Sequence, residues 1–463
     1  MAHAANFCSI DPATEELLGT LPHAPEDAVD GALRDAHASF ASWRTLPISE
    51  RAGRLRDAAR VLRRHRDHLA AIATVEMGKP IRQARAEVEK CATGCDYYAE
   101  HAPAILADQP RSSSGSRSWV QFPPLGVVLA IMPWNFPFWQ VFRFAAPTLA
   151  AGNTAILKHA ANVPRCAQAC QWVFEEAGFP AGVFTNLLVS GPRASALIAR
   201  PEIAAVTLTG SEDAGAAVAE AAGRVLKKCV LELGGSDPFI VLTDADLDEA
   251  ASIGVQSRYQ NAGQSCIAAK RFIVAESVYA EFRDRFIART RELRTGDPNN
   301  EDTDMGPLAR GDLRDALEAQ IKASVARGAR IVLGGSRRSG RGYFFEPTVV
   351  ENVTPGMPLF DEEVFGPVAA LISARDESEA VRLANDSRYG LGANLWTRDL
   401  ERAARLSREI EAGQVFVNGM VASDPRLPFG GVKRSGYGRE LADFGIREFV
   451  NVQTVWTGPR RET

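Results

Sequence analysis

From Gly126 onward, short apolar runs alternate with helix-length segments, and this alternation constrains the fold more than any other feature of the sequence. A short run rich in Val, Ile and Leu is typical of a buried strand. Strands that alternate with helices imply a parallel sheet with right-handed crossovers. The predicted strands lie at 127–131, 154–157, 183–189, 204–208 and 229–233, and then at 239–242, 271–274, 331–333, 368–372 and 415–417. The sequence therefore predicts two successive α/β units.

The segments outside these units have other patterns. An approximate apolar stripe among many Arg residues predicts helices within 25–101. The turn-rich sequence 111–117, followed by 118–122, predicts a protruding hairpin, and the tail 448–457 predicts one more strand. A chain of 463 residues, at roughly 150 residues per domain, allows about three structural units.

Composition and charge narrow the class of protein. Hydrophobic residues make up 46% of the chain and charged residues 24%, which is typical of a soluble globular protein. A net charge of −4 excludes a general binder of polyanions, so we expect no nucleic-acid partner. The longest apolar run, 125–132, is far shorter than the roughly 20 residues of a membrane helix, and the N-terminus lacks a secretory signal pattern. We therefore expect no membrane partner.

The cysteines indicate a compartment but no metal site. Seven cysteines spread thinly over the chain do not form a disulfide framework, so we expect a cytoplasmic protein. Cys91 and Cys95, and likewise Cys166 and Cys170, are spaced i,i+4 within helical patterns, as in half of a metal site. Because no second Cys or His pair with zinc spacing lies nearby, we interpret them as small buried helix residues and predict no metal.

Asn135 is the first candidate site residue, in the sequence 132–137 that directly follows the predicted strand 127–131. Pro133 and Pro137 fix the backbone and stop the strand. Asn135 is thereby placed on a rigid corner at the carboxyl end of a parallel strand, where ligands of open α/β sheets bind. The alternative is a turn Asn that bonds to its own backbone.

Glu232 is the second candidate, set in the apolar sequence 231–233 just before Gly234 and Gly235. A carboxylate is costly to bury unless it is paired or protonated. Burial also raises the pKa of a carboxyl group toward the range that suits a general base. The alternative is a Glu that faces solvent on an edge strand.

Cys266 is the third candidate, because it follows the polar, glycine-containing turn 261–265 instead of lying inside an apolar stripe. If 264–266 opens a helix, the helix N-terminus would favour the thiolate and present N–H groups to a developing oxyanion. The alternative is a structural cysteine.

The positions of the histidines bear on the choice of base. All seven lie before residue 160. The nearest to Cys266 is His159, more than a hundred residues upstream, and its local sequence is typical of a segment that faces a cofactor. A cysteine hydrolase needs a His base and a residue that orients it. A carboxylate base such as Glu232 fits this sequence better.

A cofactor site is indicated at the end of the predicted strand 204–208. No Walker sequence is present, and no G-x-G-x-x-G follows the first strand. Ser211 is a plausible N-cap, and Gly210 would let the backbone approach a pyrophosphate at the helix N-terminus. The run 436–438 lacks the strand–turn–helix context of a dinucleotide fingerprint.

These segments together resemble the aldehyde dehydrogenase superfamily over essentially the whole chain. Within it, the sequence is most similar to bacterial succinate-semialdehyde dehydrogenases of about this length, with which it shares 158–160, 227–239 and 259–261. The resemblance implies a Rossmann-like cofactor domain, an α/β catalytic domain and a small β oligomerisation arm. The matching motifs are 133–137, 157–158, 209–211, 232–235, 263–266, 363–367 and 428–431.

The resemblance also implies roles for individual residues. Cys266 would attack the aldehyde, Asn135 and the Cys266 N–H would hold the oxyanion, and Glu232 would activate the water that hydrolyses the thioester. A neutral amide donor stabilises the oxyanion without quenching the alkoxide. Glu440 matches a carboxylate sometimes assigned to proton relay. The residues implied in cofactor binding are Trp134, Lys158, Gly210, Ser211, Gly234, Glu363 and Phe365.

Two further positions bear on the substrate and the cofactor. Arg143 and Ser423 match residues that bind a substrate carboxylate in succinate-semialdehyde enzymes, where an Arg and a hydroxyl are a sensible combination. The alternative for Arg143 is an ion pair on a helix surface. Gln260 stands where some members carry another Arg. At Ala161, NAD-preferring relatives often carry Glu, so we expect NAD to be used and NADP also to be accepted.

The resemblance implies a division of the chain. We predict an NAD(P)-binding domain at 1–110 and 123–232, a catalytic domain at 233–430, and an oligomerisation arm at 111–122 and 431–463 that makes a homodimer or homotetramer. The expected reaction is oxidation of a carboxylate-bearing aldehyde, succinate semialdehyde above all. Alternatives are a broader aldehyde dehydrogenase acting on glutarate semialdehyde or aliphatic aldehydes, a CoA-acylating enzyme, a cysteine hydrolase, or a silent NAD-binding protein.

Overall fold

The computed structural model describes residues 6–458, which form an α/β fold as predicted. The helices are α1 (Glu26–Trp43), α2 (Ile48–Arg64), α3 (Arg66–Met77), α4 (Ile81–Ile105), α5 (Trp139–Ala150), α6 (Pro164–Glu176), α7 (Gly191–Leu197), α8 (Glu212–Arg224), α9 (Leu247–Tyr259), α10 (Glu276–Arg291), α11 (Gly311–Val325), α12 (Pro358–Asp361), α13 (Glu377–Asn385), α14 (Leu400–Leu406) and α15 (Ala442–Ile446).

The strands are β1 (Phe7–Ile10), β2 (Leu17–Leu21), β3 (Gln109–Pro110), β4 (Arg117–Gln121), β5 (Val127–Met132), β6 (Thr154–His159), β7 (Phe184–Asn186), β8 (Ile203–Thr209), β9 (Lys228–Glu232), β10 (Asp237–Val241), β11 (Ala269–Ala275), β12 (Arg330–Leu333), β13 (Thr348–Glu351), β14 (Val368–Ala374), β15 (Tyr389–Gly390), β16 (Gly392–Trp396), β17 (Gln414–Val417), β18 (Val432–Lys433), β19 (Gly436–Tyr437) and β20 (Gln453–Thr457).

The first large sheet has the strand order β19-β9-β8-β5-β6-β7. Strands β5 to β9 run parallel, and β19 pairs antiparallel with β9 at the edge. Parallel pairing is favoured because β5 is buried on both faces by its continuous apolar sequence. The register places Met132 opposite His159 and Thr209 opposite Glu232. The carboxyl ends of β5, β6, β8 and β9 therefore meet at one edge of the sheet.

The second large sheet has the order β12-β13-β14-β11-β10-β16-β17, with β12 alone antiparallel. Its core is aromatic: the ring of Phe239 lies 5.0 Å from Phe272 and 5.6 Å from Trp396, measured between centroids. Strands β13 and β16 were not predicted. In β16, Gly392 and Ala393 are too small to give an apolar pattern, although all five residues of the strand are buried.

A smaller sheet of order β20-β4-β3 joins the predicted hairpin to the tail. Strand β4 pairs antiparallel with both β3 and β20, so the prediction of strands at 118–122 and in the tail is confirmed. The predicted division into domains stays a prediction, and its outermost residues, 1–5 and 459–463, lie outside the described residues. Strands β18 and β19, from the segment predicted to be part of the arm, pair with β15 and β9.

Local differences from the prediction occur at the edges of the fold. Strand β7 is shorter than the predicted 183–189, because the N–H of Val189 bonds to the carbonyl of Leu187 in a turn. The N-terminal hairpin of β1 and β2 was not predicted. Within residues 6–458, no helix is long and apolar enough to cross a membrane.

Candidate active site

A cavity of about 370 Å³ lies at the edge where the carboxyl ends of the first sheet meet the turn that precedes β11. It brings together nine of the twelve predicted site residues, while Lys158, Arg143 and Ser423 are not in its lining. The lining residues are Pro133, Trp134, Asn135, Gln140, Thr209, Gly210, Ser211, Glu232, Leu233, Gly234, Cys266, Arg310, Leu313, Glu363 and Phe365.

Asn135 ties the corner after β5 to the segment that carries Cys266. Its side-chain Nδ2 donates to the carbonyl of Gln264 at 3.1 Å, and its own carbonyl accepts from Nδ2 of Asn261 at 2.8 Å. Asn135 is 4% exposed. The alternative of a turn Asn bonded to its own backbone therefore does not describe this residue, whose partners lie more than a hundred residues away.

A buried ion pair between Lys79 and Glu87, which the sequence analysis did not predict, fixes the segment that follows Asn135. The Oε1 atom of Glu87 accepts from the backbone N–H groups of Phe138 and Trp139 at 2.8 and 2.9 Å, and its other oxygen pairs with Lys79. The Lys79 ammonium also lies 3.9 Å from the ring centroid of Phe136. A carboxylate at a helix N-terminus complements the helix dipole, so Glu87 orients the start of α5. The apolar stripe of α4 around Glu87 was the only available signal in the sequence.

No helix opens at 264–266, so the condition under which a helix N-terminus would favour the thiolate is not met. Gln260–Gly263 is a 3₁₀ turn in which Asn261 and Ala262 have φ values of 52° and 54°, and Cys266 lies in a turn that runs into β11. The turn carbonyls are instead held by a cation. The ammonium of Lys270 donates to the carbonyls of Ser265, Cys266 and Ala268 at 3.2, 2.8 and 3.1 Å.

Without a helix terminus, the thiol is not acidified by a dipole. Burial raises the pKa of Cys266 to about 12, although the positive charges of Arg143 and Lys270 act in the opposite direction. At neutral pH the thiol in this structure is protonated. Formation of a thiolate nucleophile therefore requires a base in the same cavity.

Glu232 is available for that task. Its side chain is 2% exposed and neither carboxylate oxygen has a hydrogen-bond partner within the described chain. The alternative of a solvent-facing Glu is therefore wrong. Burial and, secondarily, the nearby Glu440 raise the pKa of Glu232 well above its usual range. The chain after Glu232 also approaches the nucleophile closely, because a Cβ atom on Gly235 would lie 2.7 Å from the carbonyl oxygen of Cys266.

The cofactor-type residues on the opposite side of the cavity fit a dinucleotide. Ser211 is the N-cap of α8, as predicted, and its Oγ accepts from the N–H of Ala214 at 3.4 Å. The backbone at Gly210 and Ser211 therefore faces the cavity at a helix N-terminus, which favours a pyrophosphate. Trp134 and Phe365 form an aromatic wall with ring centroids 5.7 Å apart.

Lys158 and His159 are adjacent at the end of β6, but the Lys158 side chain is available to a ligand whereas the His159 ring is bonded to the protein backbone. Burial lowers the pKa of Lys158, and within residues 6–458 no carboxylate lies within 4 Å of its ammonium. Its donors are therefore available to a ligand hydroxyl. The imidazole of His159 contacts the carbonyl of Pro137 through Nε2 at 2.8 Å and accepts from the N–H of Ala160. Burial lowers the pKa of His159 to about 4, so this neutral ring has no base role in the cavity.

Arg143 lies in the interior and not on a helix surface. It is 2% exposed, pairs with the carboxylate of Glu440, and donates from Nη2 to Oγ1 of Thr209 at 3.3 Å. Ser423 lies beyond Trp139, whose Nε1 donates to the Ser423 hydroxyl at 2.8 Å. The structure therefore places Arg143 on α5 and Ser423 against Trp139 of the same helix, and neither residue lines the cavity.

Comparison with known proteins decides the family. A profile of the aldehyde dehydrogenase family matches residues 1–455. The chain belongs to the aldehyde dehydrogenase family. The resemblance inferred from the motifs is thereby confirmed.

Individual relatives of this aldehyde dehydrogenase are similar over their full length. The succinate semialdehyde dehydrogenase (NAD(P)+) of Escherichia coli strain K12 is 51% identical over 453 residues, covering 98% of each chain. Succinate-semialdehyde dehydrogenase (NADP+) 1 of Mycobacterium tuberculosis is 51% identical over 97% of this chain and 99% of that one. A crystal structure of succinic semialdehyde dehydrogenase from Streptococcus pyogenes with NADP+ has a TM-score of 0.96 at 39% identity, covering 98% of this chain and 100% of that one.

We predict that Glu87→Gln destabilises the enzyme by about 3–5 kcal/mol, because it leaves the Lys79 ammonium buried without a counter-ion. Glu89→Gln is the matched control two residues away, since Glu89 forms only an exposed pair with Arg63 and should cost less than about 1 kcal/mol. Urea unfolding of both variants measures the difference. Equal stability of the two variants would contradict the role given to Glu87.

Proposed function

We propose that this aldehyde dehydrogenase oxidises succinate semialdehyde to succinate with NAD(P)+. The observation that carries the reaction is the single cavity shared by Cys266, Glu232 and Asn135 with residues of cofactor-binding type. The substrate is supported by the relatives named for it, which are 51% identical over nearly the whole chain. The buried guanidinium of Arg143, within electrostatic reach of Cys266, supports a substrate that carries a carboxylate.

The first step is addition of Cys266 to the aldehyde. Glu232 accepts the thiol proton, directly or through a water, and the sulfur adds to the carbonyl carbon to give a tetrahedral thiohemiacetal. The side-chain amide of Asn135 and the backbone N–H of Cys266 donate to the oxyanion. Both donors are neutral, so they stabilise the charge without removing the driving force for hydride departure. When bound, the nicotinamide supplies the acceptor for that hydride.

The second step releases the acid. Loss of hydride leaves a thioester on Cys266. Glu232 passes the thiol proton to solvent and then removes a proton from the water that hydrolyses the thioester, and the departing thiolate of Cys266 takes up that proton. The raised pKa of Glu232 suits this role, since a carboxylate with an ordinary pKa is a weak base. The same buried carboxylate therefore acts twice, and water as the acyl acceptor distinguishes this proposal from a CoA-acylating enzyme.

The cofactor would lie between the N-terminus of α8 and Glu363. Lys158 and Glu363 would bind the two riboses, and Ser211 would lie at the pyrophosphate, with Gly234 beside it. Glu363 accepts from the N–H of Gly235 at 3.0 Å, which places its carboxylate on the cavity wall. Ala161 is exposed and carries no charge that would repel a 2′-phosphate, so we propose that both NAD and NADP are accepted.

The arm supports a homo-oligomer. In the sheet of β3, β4 and β20, the last strand lies at an edge, and Trp456 and the adjoining Val452 are 51% and 63% exposed. An exposed strand edge with large apolar side chains is normally covered by a partner. We propose a homodimer or homotetramer, in the cytoplasm, where its free cysteines stay reduced.

We expect an aldehyde panel, run with each cofactor, to give a kcat/KM for succinate semialdehyde at least about tenfold above that for hexanal, because a charge-assisted contact contributes roughly 1.5–3 kcal/mol. Glutarate semialdehyde differs by one methylene and should lose roughly 1–3 kcal/mol at most. Equal values for succinate semialdehyde and hexanal would support the broader aldehyde dehydrogenase instead. NADP activity below detection would contradict dual cofactor use.

We expect the raised pKa of Glu232 to set the acid limb of the kcat–pH profile. Only the deprotonated carboxylate can accept a proton, so kcat should fall as the pH decreases through this raised pKa, well above the usual carboxyl range. Glu440→Gln removes a negative charge that helps to raise the pKa, so the limb should move to lower pH in that variant. A limb in the ordinary carboxyl range, or one that Glu440→Gln leaves in place, would contradict this assignment.

A further inference from the structure

One face of α4 contacts three segments around the active site. Gln83, Glu87 and Lys90 are separated by four and three residues, so they share a face of the helix. Gln83 accepts from the N–H of Asn261 at 2.8 Å, and Glu87 holds the start of α5. Lys90, one turn farther along, donates from Nζ to the hydroxyl of Ser423 at 2.8 Å. The mechanism above uses none of the Lys90 charge.

Lys90 is half-buried and lies beside an aromatic ring. Its ammonium is 4.5 Å from the ring centroid of Trp139, and the Trp139 Nε1 donates to the same Ser423 hydroxyl. The ring is in turn packed against Gly94, where a Cβ atom would lie 3.2 Å from it. The Ser423 oxygen thus accepts two hydrogen bonds, and within residues 6–458 its own proton is given to no acceptor.

The charged groups that face Lys90 do not neutralise it. They are Arg143, Glu87, Asp424 and the thiol of Cys91. Glu87 pairs with Lys79 and Asp424 pairs with Arg426, and no carboxylate within residues 6–458 comes within 4 Å of the Lys90 ammonium. Burial and the neighbouring Arg143 lower the pKa of Lys90 to about 8. A half-buried cation without its own counter-ion, beside a second cation, is a site that an anion would stabilise.

The position of this site matches the far end of a short substrate. Arg143 reaches the catalytic cavity through Thr209, to which it donates at 3.3 Å, and its positive charge also lowers the pKa of Lys90, so the two cations are neighbours. On α5, Trp139 and Arg143 are one turn apart and flank Gln140, which lines the catalytic cavity. Neither Lys90 nor Ser423 lines the cavity itself, so an anion bound by them would be set apart from Cys266.

We propose that Lys90 is a specificity-determining residue that, together with the Ser423 hydroxyl, binds the carboxylate of the aldehyde substrate. This inference rests on the proposed oxidation of succinate semialdehyde. The Lys90 ammonium and the free Ser423 proton both donate to the carboxylate, and Lys90 supplies a charge that the neutral Gln260 does not. Arg143 keeps Glu440 as its partner and adds to the positive field.

The test compares Lys90→Gln and Lys90→Arg with the unchanged enzyme on succinate semialdehyde and on butanal, which has four carbons but no carboxylate. Gln keeps a donor for Ser423 and loses the charge, so a residue that only held Ser423 in place would tolerate it. We expect the ratio of kcat/KM for the two aldehydes to fall about 30-fold in Lys90→Gln, mainly through KM. Lys90→Arg should keep most of the ratio, and Lys322→Met, a change on the surface, should keep all of it.

A binding measurement without turnover completes the test. Succinate should protect Cys266 from iodoacetamide in the unchanged enzyme far better than butyrate does, and Lys90→Gln should abolish the difference. A ratio within about threefold of the unchanged enzyme in Lys90→Gln, with succinate protection retained, would overturn the role of Lys90. If the unchanged enzyme itself prefers neither aldehyde, the proposed function fails first, and the inference about Lys90 falls with it.

Discussion

Three backbone carbonyls that converge on the Lys270 ammonium hold the nucleophile of this enzyme in place. The turn that carries Cys266 is irregular backbone in the protein interior, with two residues in the left-handed region, and its polar groups need partners there. Arg258 adds a second buried cation, which donates from Nη2 to the carbonyl of Gly263 at 2.7 Å. Charged side chains thus donate the hydrogen bonds that backbone N–H groups would supply to these carbonyls in a helix.

The low polarity around this turn explains the division of tasks in the site. Burial raises the pKa of the Cys266 thiol and keeps it protonated. Burial also raises the pKa of Glu232, which makes this carboxylate a stronger base. The same apolar environment therefore disfavours the thiolate and strengthens the base that forms it. Buried charges elsewhere are costly and are held either by an ion pair, as Glu87 is by Lys79, or by backbone carbonyls, as Lys270 is. Lys90 differs from both groups, because it is half-buried and its ammonium donates to a hydroxyl, which leaves its charge to an anion that the substrate brings.

The sequence predicted features that depend on local chemistry and missed those that depend on distant contacts. The cap at Ser211 and the strands around β5 follow from neighbouring residues, so they were predicted correctly. The motif at Cys266 identified the residue but not its backbone, because side-chain bonds from Lys270 and Arg258 to the turn carbonyls have no recognisable sequence pattern. Lys90 gave no signal, since its partners Trp139 and Ser423 are far from it along the chain.

Mass spectrometry of the Glu232→Gln variant, mixed with succinate semialdehyde and NAD+, tests the central claim most directly. We expect NADH to form more slowly than in the unchanged enzyme, because the thiol has lost its base, and to stop at one equivalent per chain. A succinyl group should remain on the peptide containing Cys266, because the base for hydrolysis is also missing. Cys266→Ala should form neither. Steady turnover by Glu232→Gln, or an acyl group on a different cysteine, would contradict the assignment of Cys266 and Glu232 as nucleophile and base.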